Sequence, residues 1–120
     1  MKNNLPLGKL GESLAEKYLR SLGYKVIEKN FHKGYSEIDL VCKEGNTLVF
    51  VEVKTRKSKI FGTPLEAITP FKLRSLIRAT QYYKLLHPEL PDSQRIDVVS
   101  ITLKDNDQID SLEHIKNITL

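Results

Sequence analysis

The sequence predicts a mixed α/β fold, in which one β-sheet is flanked by helices in the order α-β-β-β-α-β. Three observations predict it: an amphipathic helical segment at the start, a hairpin of apolar strands in the middle, and a second helical segment followed by a β-branched run. Strands joined by a tight turn and flanked by helices favour a mixed sheet over a doubly wound parallel one. The 120 residues, 40% hydrophobic and 28% charged, have the size and composition of one soluble domain spanning residues 1–120.

Two segments have the spacing of amphipathic helices. From Leu7 to Leu22 the apolar residues fall on one stripe, and Gly23 follows at a position where helices often end in a left-handed residue. Thr69 is placed as the N-cap and Pro70 as the first residue of a second helix. The segment from His87 to Pro91 ends that helix. Its predicted inward stripe consists of Leu73, Leu76, Ile77, Thr80 and Tyr83.

Four segments are predicted as strands. They are Tyr24 to Phe31, Glu37 to Lys43, Thr47 to Thr55 and Arg95 to Leu103. Gly45-Asn46 supplies a tight turn between the second and the third. The third strand is apolar on both faces for most of its length, which predicts a central strand covered on both sides. Lys57 to Pro64 is predicted as a loop, and the tail from Ile109 to Leu120 is compatible with an added edge strand.

Composition argues against several classes of protein and site. Cys42 is the single cysteine, so no intrachain disulfide can form, and its place on an apolar strand predicts a buried small hydrophobe. The three histidines, His32, His87 and His114, are scattered, so no zinc site is predicted and none of them is given a role. The absence of a signal peptide and of ~18 consecutive apolar residues predicts a cytoplasmic protein with no membrane partner. A net charge of +4 is a mild indication of a polyanionic partner.

The residues that can carry chemistry converge on the hairpin. If residues 45 and 46 form a two-residue loop, counting back from the turn puts Asp39 directly opposite Glu52. By the same count Glu37 lies opposite Lys54. Opposite residues point to the same face of a sheet, with Cβ atoms roughly 4.5–5.5 Å apart. A three-residue loop without a compensating bulge would shift the count by one and separate Asp39 from Glu52.

Facing carboxylates of this kind predict a divalent-metal site. They repel each other unless one is protonated or a cation lies between them, and oxygen ligands suit Mg²⁺ or Mn²⁺. A metal held by Asp39 and Glu52 would polarise a phosphodiester and lower the pKa of a bound water. The Lys54 ammonium would orient that water or stabilise the charge of the transition state. A plain salt bridge between Glu52 and Lys54 is the alternative, and both interpretations stay open.

Further polar residues are candidates for the same chemistry. Glu12 lies at the rim of the first helix's apolar stripe, within reach of the charged patch as a metal ligand, or it is simply a carboxylate favoured by the helix dipole. Two groups are candidates for contacts with a phosphate backbone: Arg56 and Lys57 after the third strand, and Arg74, Arg78 and Gln81 on the second helix. A solvated basic surface is the alternative for both. Tyr82 and Tyr83 are candidates for stacking on bases, although Tyr83 fits the core stripe better.

In order, the segments Gly8-x-x-Gly11-Glu12, Asn30-Phe31, Glu37-Ile38-Asp39, Phe50-Val51-Glu52-Val53-Lys54 and Arg95-Ile96-Asp97 closely resemble the YraN-like bacterial family. That family is similar to archaeal Holliday-junction resolvases and to the restriction-endonuclease-like, PD-(D/E)xK superfamily. The resemblance implies a restriction-endonuclease-like sheet, Asp39, Glu52 and Lys54 as the catalytic set, and Glu12 as a helix-borne metal ligand. Ser36 departs from the family pattern, which usually has glycine before the Glu-Ile-Asp stretch.

The resemblance implies a divalent-metal-dependent nuclease that acts on DNA, including branched or otherwise structured DNA. Resolution of a junction needs two active sites and would require a homodimer. Two other hypotheses remain: a nucleic-acid-binding module with this fold and no cleavage activity, and a protein-interaction domain in which the charges only satisfy one another. The intact set Asp39, Glu52 and Lys54 argues against a relic that has lost its activity.

Overall fold

The computed structural model describes residues 5–57 and 62–119. A five-stranded sheet, with its strands in chain order, has one helix on each face. The elements are α1 (Leu7–Ser21), β1 (Lys25–Lys33), β2 (Ser36–Glu44), β3 (Thr47–Arg56), α2 (Pro70–Leu86), β4 (Gln94–Leu103) and β5 (Ile109–Ile115). Neighbouring strands are antiparallel except β3 and β4, which are parallel. The predicted mixed α/β fold is confirmed, and it is compatible with a restriction-endonuclease-like architecture.

The capping and turn residues identified in the sequence lie at the positions predicted for them. The Thr69 hydroxyl accepts the Lys72 amide at 3.1 Å and caps α2, and Gly23 follows α1 with φ at 90°. Glu44 pairs with Thr47 across the two-residue turn, as predicted. The tail supplies the edge strand β5, while the middle of the predicted loop, residues 58–61, lies outside the described residues.

Each face of the sheet carries its own apolar layer. On the α1 face, Leu19 and other residues of the helix pack against buried residues of the three central strands, among them Leu40, Val51 and Val99. The α2 face does the same on the other side with Leu76, Ala79, Tyr83, Val41, Phe50 and Ile96. β3 contributes to both layers, which confirms the prediction of a central strand covered on both sides. Cys42 is fully buried in the α1 layer, as expected of a small hydrophobe.

β1 departs twice from regular strand geometry. Its register with β2 shifts between Val26 and Glu28, and Asn30 has a left-handed φ of 56°. As a result Glu28 and Phe31, three residues apart, both lie on the α2 face, where each contacts Tyr83. Asn30 is thereby left to point towards α1. Asparagine is one of the few residues other than glycine that adopt this conformation readily.

α1 approaches β3 closely at Gly11. A Cβ atom on Gly11 would overlap Oγ1 of Thr55 and would lie 2.7 Å from the Cβ atom of that residue. The absence of a side chain at residue 11 therefore lets the helix backbone settle on the end of β3. This contact fixes how far the next residue, Glu12, stands above the sheet.

Gly11→Ala is expected to lower the free energy of unfolding by about 1–3 kcal/mol, the usual effect of overpacking. Rotation of the Thr55 side chain cannot relieve the contact, because its Cβ atom is itself too close. Gly8→Ala in the same helix is the matched control, since nothing lies within 4 Å of a Cβ there. Urea unfolding should find the control no less stable than wild type. Equal stability of the two variants would contradict the close approach of α1.

Within the described part of the chain, no helix combines the length and the apolar character needed to cross a bilayer.

Candidate metal centre

The pairing between β2 and β3 stops before the two strands end. Their ladder runs from Glu44–Thr47 to Leu40–Val51 and ends there. Beyond it, β2 stays paired only with β1, and β3 only with β4. We call the gap between residues 36–39 and residues 52–56 the notch. Inside it, the Val53 amide donates a hydrogen bond of 2.8 Å to Oδ2 of Asp39.

The notch corrects one detail of the predicted hairpin. Asp39 and Glu52 were expected to be a directly opposed pair, but the ladder stops one pair short of them. The reason is that a side-chain carboxylate, that of Asp39, takes the backbone amide of Val53 at this point. Glu37 was expected opposite Lys54, but the ladder does not reach either residue. Glu37 pairs with His32 of β1, and Lys54 pairs with Ser100 of β4.

Three carboxylates converge at the start of β2. Glu12, Glu37 and Asp39 each offer an oxygen, and these oxygens all lie within 4.8 Å of one another. Asp39 is only 8% exposed, and the other two residues are partly buried. Glu12, Asp39 and Glu52 were proposed as ligands from the sequence; the structure brings the first two together, and Glu52 is not part of this group of three. Glu37 had no predicted role as a ligand, yet it belongs to this acidic cluster.

Asn30 sits between two of the three carboxylates. With its amide nitrogen facing them, it donates to Oε1 of Glu12 at 3.0 Å and to Oε1 of Glu37 at 3.1 Å, while its oxygen accepts from Nζ of Lys9 at 3.3 Å. The left-handed backbone of Asn30 is what turns this side chain towards α1. Asn30 belongs to one of the motifs in the sequence, but its role in holding the acidic cluster was not predicted.

Glu52 approaches the notch from the α2 face. Its side chain is 5% exposed, and Oε1 lies 3.7 Å from Nζ of both Lys54 and Lys72. Lys72, in the first turn of α2, was not predicted. Oε2 is buried without a hydrogen-bond partner in the structure. Both ion pairs are long and reach Oε1, so the other oxygen of this buried carboxylate has no partner. A salt bridge alone would not explain a buried carboxylate oxygen that is left without a hydrogen bond.

The electrostatics of the notch disfavour several negative charges at once. Burial raises the pKa of Asp39 to about 7, aided by the charge of Glu52 and more weakly by Glu12 and Glu37, against the hydrogen bond from the Val53 amide. Burial also raises the pKa of Glu52, although the two lysines act in the opposite direction. Such a group of carboxyl groups binds protons, or it binds a cation in their place. The donor set is entirely oxygen, which suits Mg²⁺ or Mn²⁺.

The residues proposed for phosphate contacts lie in two different environments. Arg56 donates through Nη1 to the Gly62 carbonyl at 2.6 Å, and Lys57 forms an ion pair of 3.0 Å with Asp107. Both are thus engaged within the fold. Arg74, Arg78 and Gln81 are exposed along α2, and the last two line a cleft beside Tyr82. Tyr83 is fully buried, as its place in the stripe predicted.

A third buried carboxylate, Asp97 of β4, is the register partner of Val51 in β3, and both of its oxygens have hydrogen-bond partners. It accepts from His114 Nε2 at 2.8 Å, Arg95 Nε at 3.0 Å and the Asn117 amide at 3.0 Å. His114 Nδ1 in turn meets the Tyr18 hydroxyl at 3.1 Å. Burial pulls the pKa of Asp97 up, but the hydrogen bonds, that of His114 foremost, hold it below its usual value. His114, given no role from sequence, joins α1, β4 and β5.

The comparisons with known proteins agree with the motifs. The model of the Uncharacterised protein family UPF0102 matches residues 11–101. UPF0102 proteins of Syntrophomonas wolfei and Geobacter metallireducens are 46% and 44% identical over 114 and 115 residues, covering 95% and 96% of this chain and 97% and 93% of theirs. One from Caldicellulosiruptor saccharolyticus is 40% identical, covering 96% of this chain and 98% of its own. The predicted resemblance to YraN-like proteins is confirmed, and the chain belongs to the UPF0102 (YraN) family.

Proposed function

We propose that this protein is a divalent-metal-dependent nuclease that hydrolyses phosphodiester bonds in DNA. The observation that carries the proposal is the acidic cluster at the notch, where oxygens of Glu12, Glu37 and Asp39 lie within 4.8 Å of one another. The buried, unpartnered Oε2 of Glu52 supports it independently, because a cation would satisfy that oxygen. The resemblance of the family to PD-(D/E)xK nucleases points in the same direction.

Glu12, Asp39 and Glu52 would hold Mg²⁺ or Mn²⁺, with Glu37 as a further oxygen donor beside Asp39. The metal would supply Lewis-acid activation of a phosphate and of a water. Asn30 keeps Glu12 and Glu37 oriented through its amide group. The Val53 amide holds one oxygen of Asp39, which leaves the other carboxylate oxygen available.

Lys54 and Lys72 would supply the positive charge. Each ammonium is 3.7 Å from Glu52, and each side chain is 35% exposed, so both can reach a phosphate at the surface of the notch. Positive charge fixed next to the reacting phosphate stabilises the transition state more than the ground state, because negative charge accumulates there as the bond breaks. Lys54 is therefore proposed as catalytic, and Lys72 as a second contact to the phosphate.

The finer features of the proposal come from the resemblance to junction resolvases. They are a branched or otherwise structured DNA substrate and a homodimer with two active sites. The location in the cytoplasm, which was predicted from the sequence on other grounds, stays a prediction. Arg74, Arg78 and Gln81 are proposed as contacts to the nucleic acid because they are exposed along one helix. Arg56 and Lys57 would have to exchange their internal partners for phosphate. The competing hypothesis is a module that binds nucleic acid at this surface without cleaving it.

The test is a cleavage screen over labelled single-stranded, duplex, gapped, flap and four-way-junction DNA and structured RNA, with Mg²⁺, Mn²⁺ or a chelator. Lys54→Ala is expected to slow cleavage by roughly 10²–10³-fold, the effect of removing one preorganised charge donor, and to leave metal binding intact because lysine is not a ligand. Lys104→Ala, at an exposed turn between β4 and β5, is the matched control and should cleave like wild type.

Undiminished cleavage by the Lys54 variant would show that this lysine, or this site, is not responsible. Binding of DNA without cleavage of any substrate, by a wild type that binds the metal, would favour the binding module instead. Metal binding is followed by calorimetric titration, so that it is measured independently of cleavage.

A further inference from the structure

A cleft of about 430 Å³ opens on the exposed side of α2, next to the turn between β1 and β2. Lys33 and Ser36 contribute to it from the strands, and Arg78, Gln81 and Tyr82 contribute from the helix. None of these five residues belongs to the acidic cluster. The cleft is therefore a separate feature of the surface. Its lining includes an aromatic ring, two cations and two uncharged polar groups, together with two apolar side chains of α2.

Tyr82 forms an aromatic platform in this cleft. Its ring is half-buried and stacks on Phe31, with 6.3 Å between the centroids and 29° between the planes. The Lys33 ammonium lies 4.2 Å from the centroid of the Tyr82 ring. Phe31 thus holds the orientation of the platform, and the exposed Lys33 side chain lies over the Tyr82 ring.

The cations of the cleft are available to an anion. Within the described part of the chain, neither Lys33 nor Arg78 forms an ion pair with a carboxylate. Both side chains are exposed. The Gln81 amide, exposed at the same rim, carries both a donor and an acceptor of hydrogen bonds. A ring, unpaired cations and an amide together match a nucleotide, which has a flat base, a phosphate and polar base edges.

The cleft is linked to the notch by β2. The Ser36 hydroxyl is 2.6 Å from the Ser75 hydroxyl of α2, which joins the helix to the start of the strand. Glu37 of the acidic cluster is the next residue. Ser36 and Asp39 are three residues apart, or roughly 10 Å of strand. An occupant of the cleft would therefore lie beside the metal centre and not in it.

We infer that the cleft binds one unpaired nucleotide of the DNA strand next to the scissile bond, with its base on Tyr82 and its phosphate on Lys33 and Arg78. The inference rests on the proposed function, which makes DNA the substrate, and it specifies DNA with a gap, flap or branch. In a continuous duplex both faces of each base are already stacked. On binding, the base replaces the Lys33 ammonium over the ring, and that ammonium moves to the phosphate; stacking on a base is the stronger contact.

The test measures binding by fluorescence anisotropy in a chelator, so that no metal-dependent cleavage can interfere. The probes are a continuous duplex and the same duplex with a single-stranded gap, carrying 2-aminopurine in the gap to report stacking. Tyr82→Leu is expected to weaken binding to the gapped probe by roughly 5- to 150-fold, the range for one lost base–aromatic stack, and to leave duplex binding unchanged. Tyr82→Phe keeps the ring and should bind both probes like wild type.

Lys33→Gln should also weaken binding to the gapped probe, with a smaller salt dependence, because a phosphate contact is lost. The control is Lys104→Ala. Equal losses on both probes, or quenching of 2-aminopurine that persists in Tyr82→Leu, would overturn the inference. These results distinguish a failure of the inference from a failure of the nuclease proposal. A preference for the gap that depends on Tyr82 supports the inference even if no substrate is cut, whereas cleavage without such a preference supports the nuclease and rejects the cleft.

Discussion

Asp39→Asn is expected to raise the free energy of unfolding of the metal-free protein at pH 8 by roughly 2–4 kcal/mol, and to abolish stabilisation by Mg²⁺ or Mn²⁺. The pKa of Asp39 lies near 7 in the folded protein, well above the usual 3.8, because the group is buried beside other carboxylates. Its contribution to stability is therefore fully present below about pH 4 and is lost as the pH rises through 7. An uncharged amide of the same shape does not incur this loss.

The same group gives a pH dependence that can be measured directly. Between pH 5 and pH 8 the wild type should lose roughly 2–3 kcal/mol that Asp39→Asn keeps. The window stops at pH 5 because Asp97, Glu16 and Glu44 have lowered pKa values and destabilise the fold when protonated in stronger acid. Urea unfolding in a chelator measures the difference, and Mn²⁺ should restore the wild type only. A wild type indifferent to pH and to metal would refute the metal centre.

Asp97→Asn should have the opposite sign and lower the free energy of unfolding by roughly 3 kcal/mol or more. Asp97 is as buried as Asp39, but its carboxylate is surrounded by donors, those of Arg95, His114 and the Asn117 amide. Replacing it by a neutral amide removes one of the two carboxylates that pair with the partly buried Arg95, the other being Glu44, and places an NH₂ group among donors.

The two substitutions form a matched pair, since the chemical change and the depth of burial are alike. If Asp97→Asn lowers the free energy of unfolding at neutral pH and Asp39→Asn raises it, then Asp97 stabilises the fold, whereas Asp39 is retained although it destabilises the fold. Thermal melts of both variants with and without Mn²⁺ make the comparison in one experiment. Destabilisation of similar size in both would indicate that Asp39, too, is only a structural carboxylate, and the nuclease proposal would lose its main support.

The fold was predictable from local signals because its elements are marked individually. The Gly45-Asn46 turn set the β2–β3 register, and that register holds from Glu44–Thr47 to Leu40–Val51. The ladder ends before Asp39 because the carboxylate of Asp39 accepts the hydrogen bond of the Val53 amide. The alternation of side chains along a strand does not predict such a hydrogen bond. Counting residues from the turn therefore placed Asp39 and Glu52 at the correct end of the hairpin, but it did not predict the notch.

The candidate site was predictable only in the residues that the hairpin and the motifs contain. Glu37 lies in the acidic cluster because of the geometry of β1 and β2, and that geometry depends on the left-handed backbone of Asn30. Lys72 reaches Glu52 from a helix that begins after a long connection, so no spacing in the sequence relates the two residues. His114 and Asp97 meet through the pairing of β4 with β5. The one usable signal was Asn30, which is suited to a left-handed position.

The two irregularities of β1 have a consequence for self-association. β1 is an outer strand, and an outer strand with a straight row of free amide and carbonyl groups invites other chains to pair with it and aggregate. Here the register shift near Val26 and the turn of backbone at Asn30 interrupt that row. Exposed Lys25, Lys29 and Lys33 add like charges along the same strand. The left-handed backbone that turns the Asn30 side-chain amide towards the acidic cluster thus also protects the β1 edge of the sheet from pairing with other chains. It disfavours any homodimer built by extending the sheet through β1.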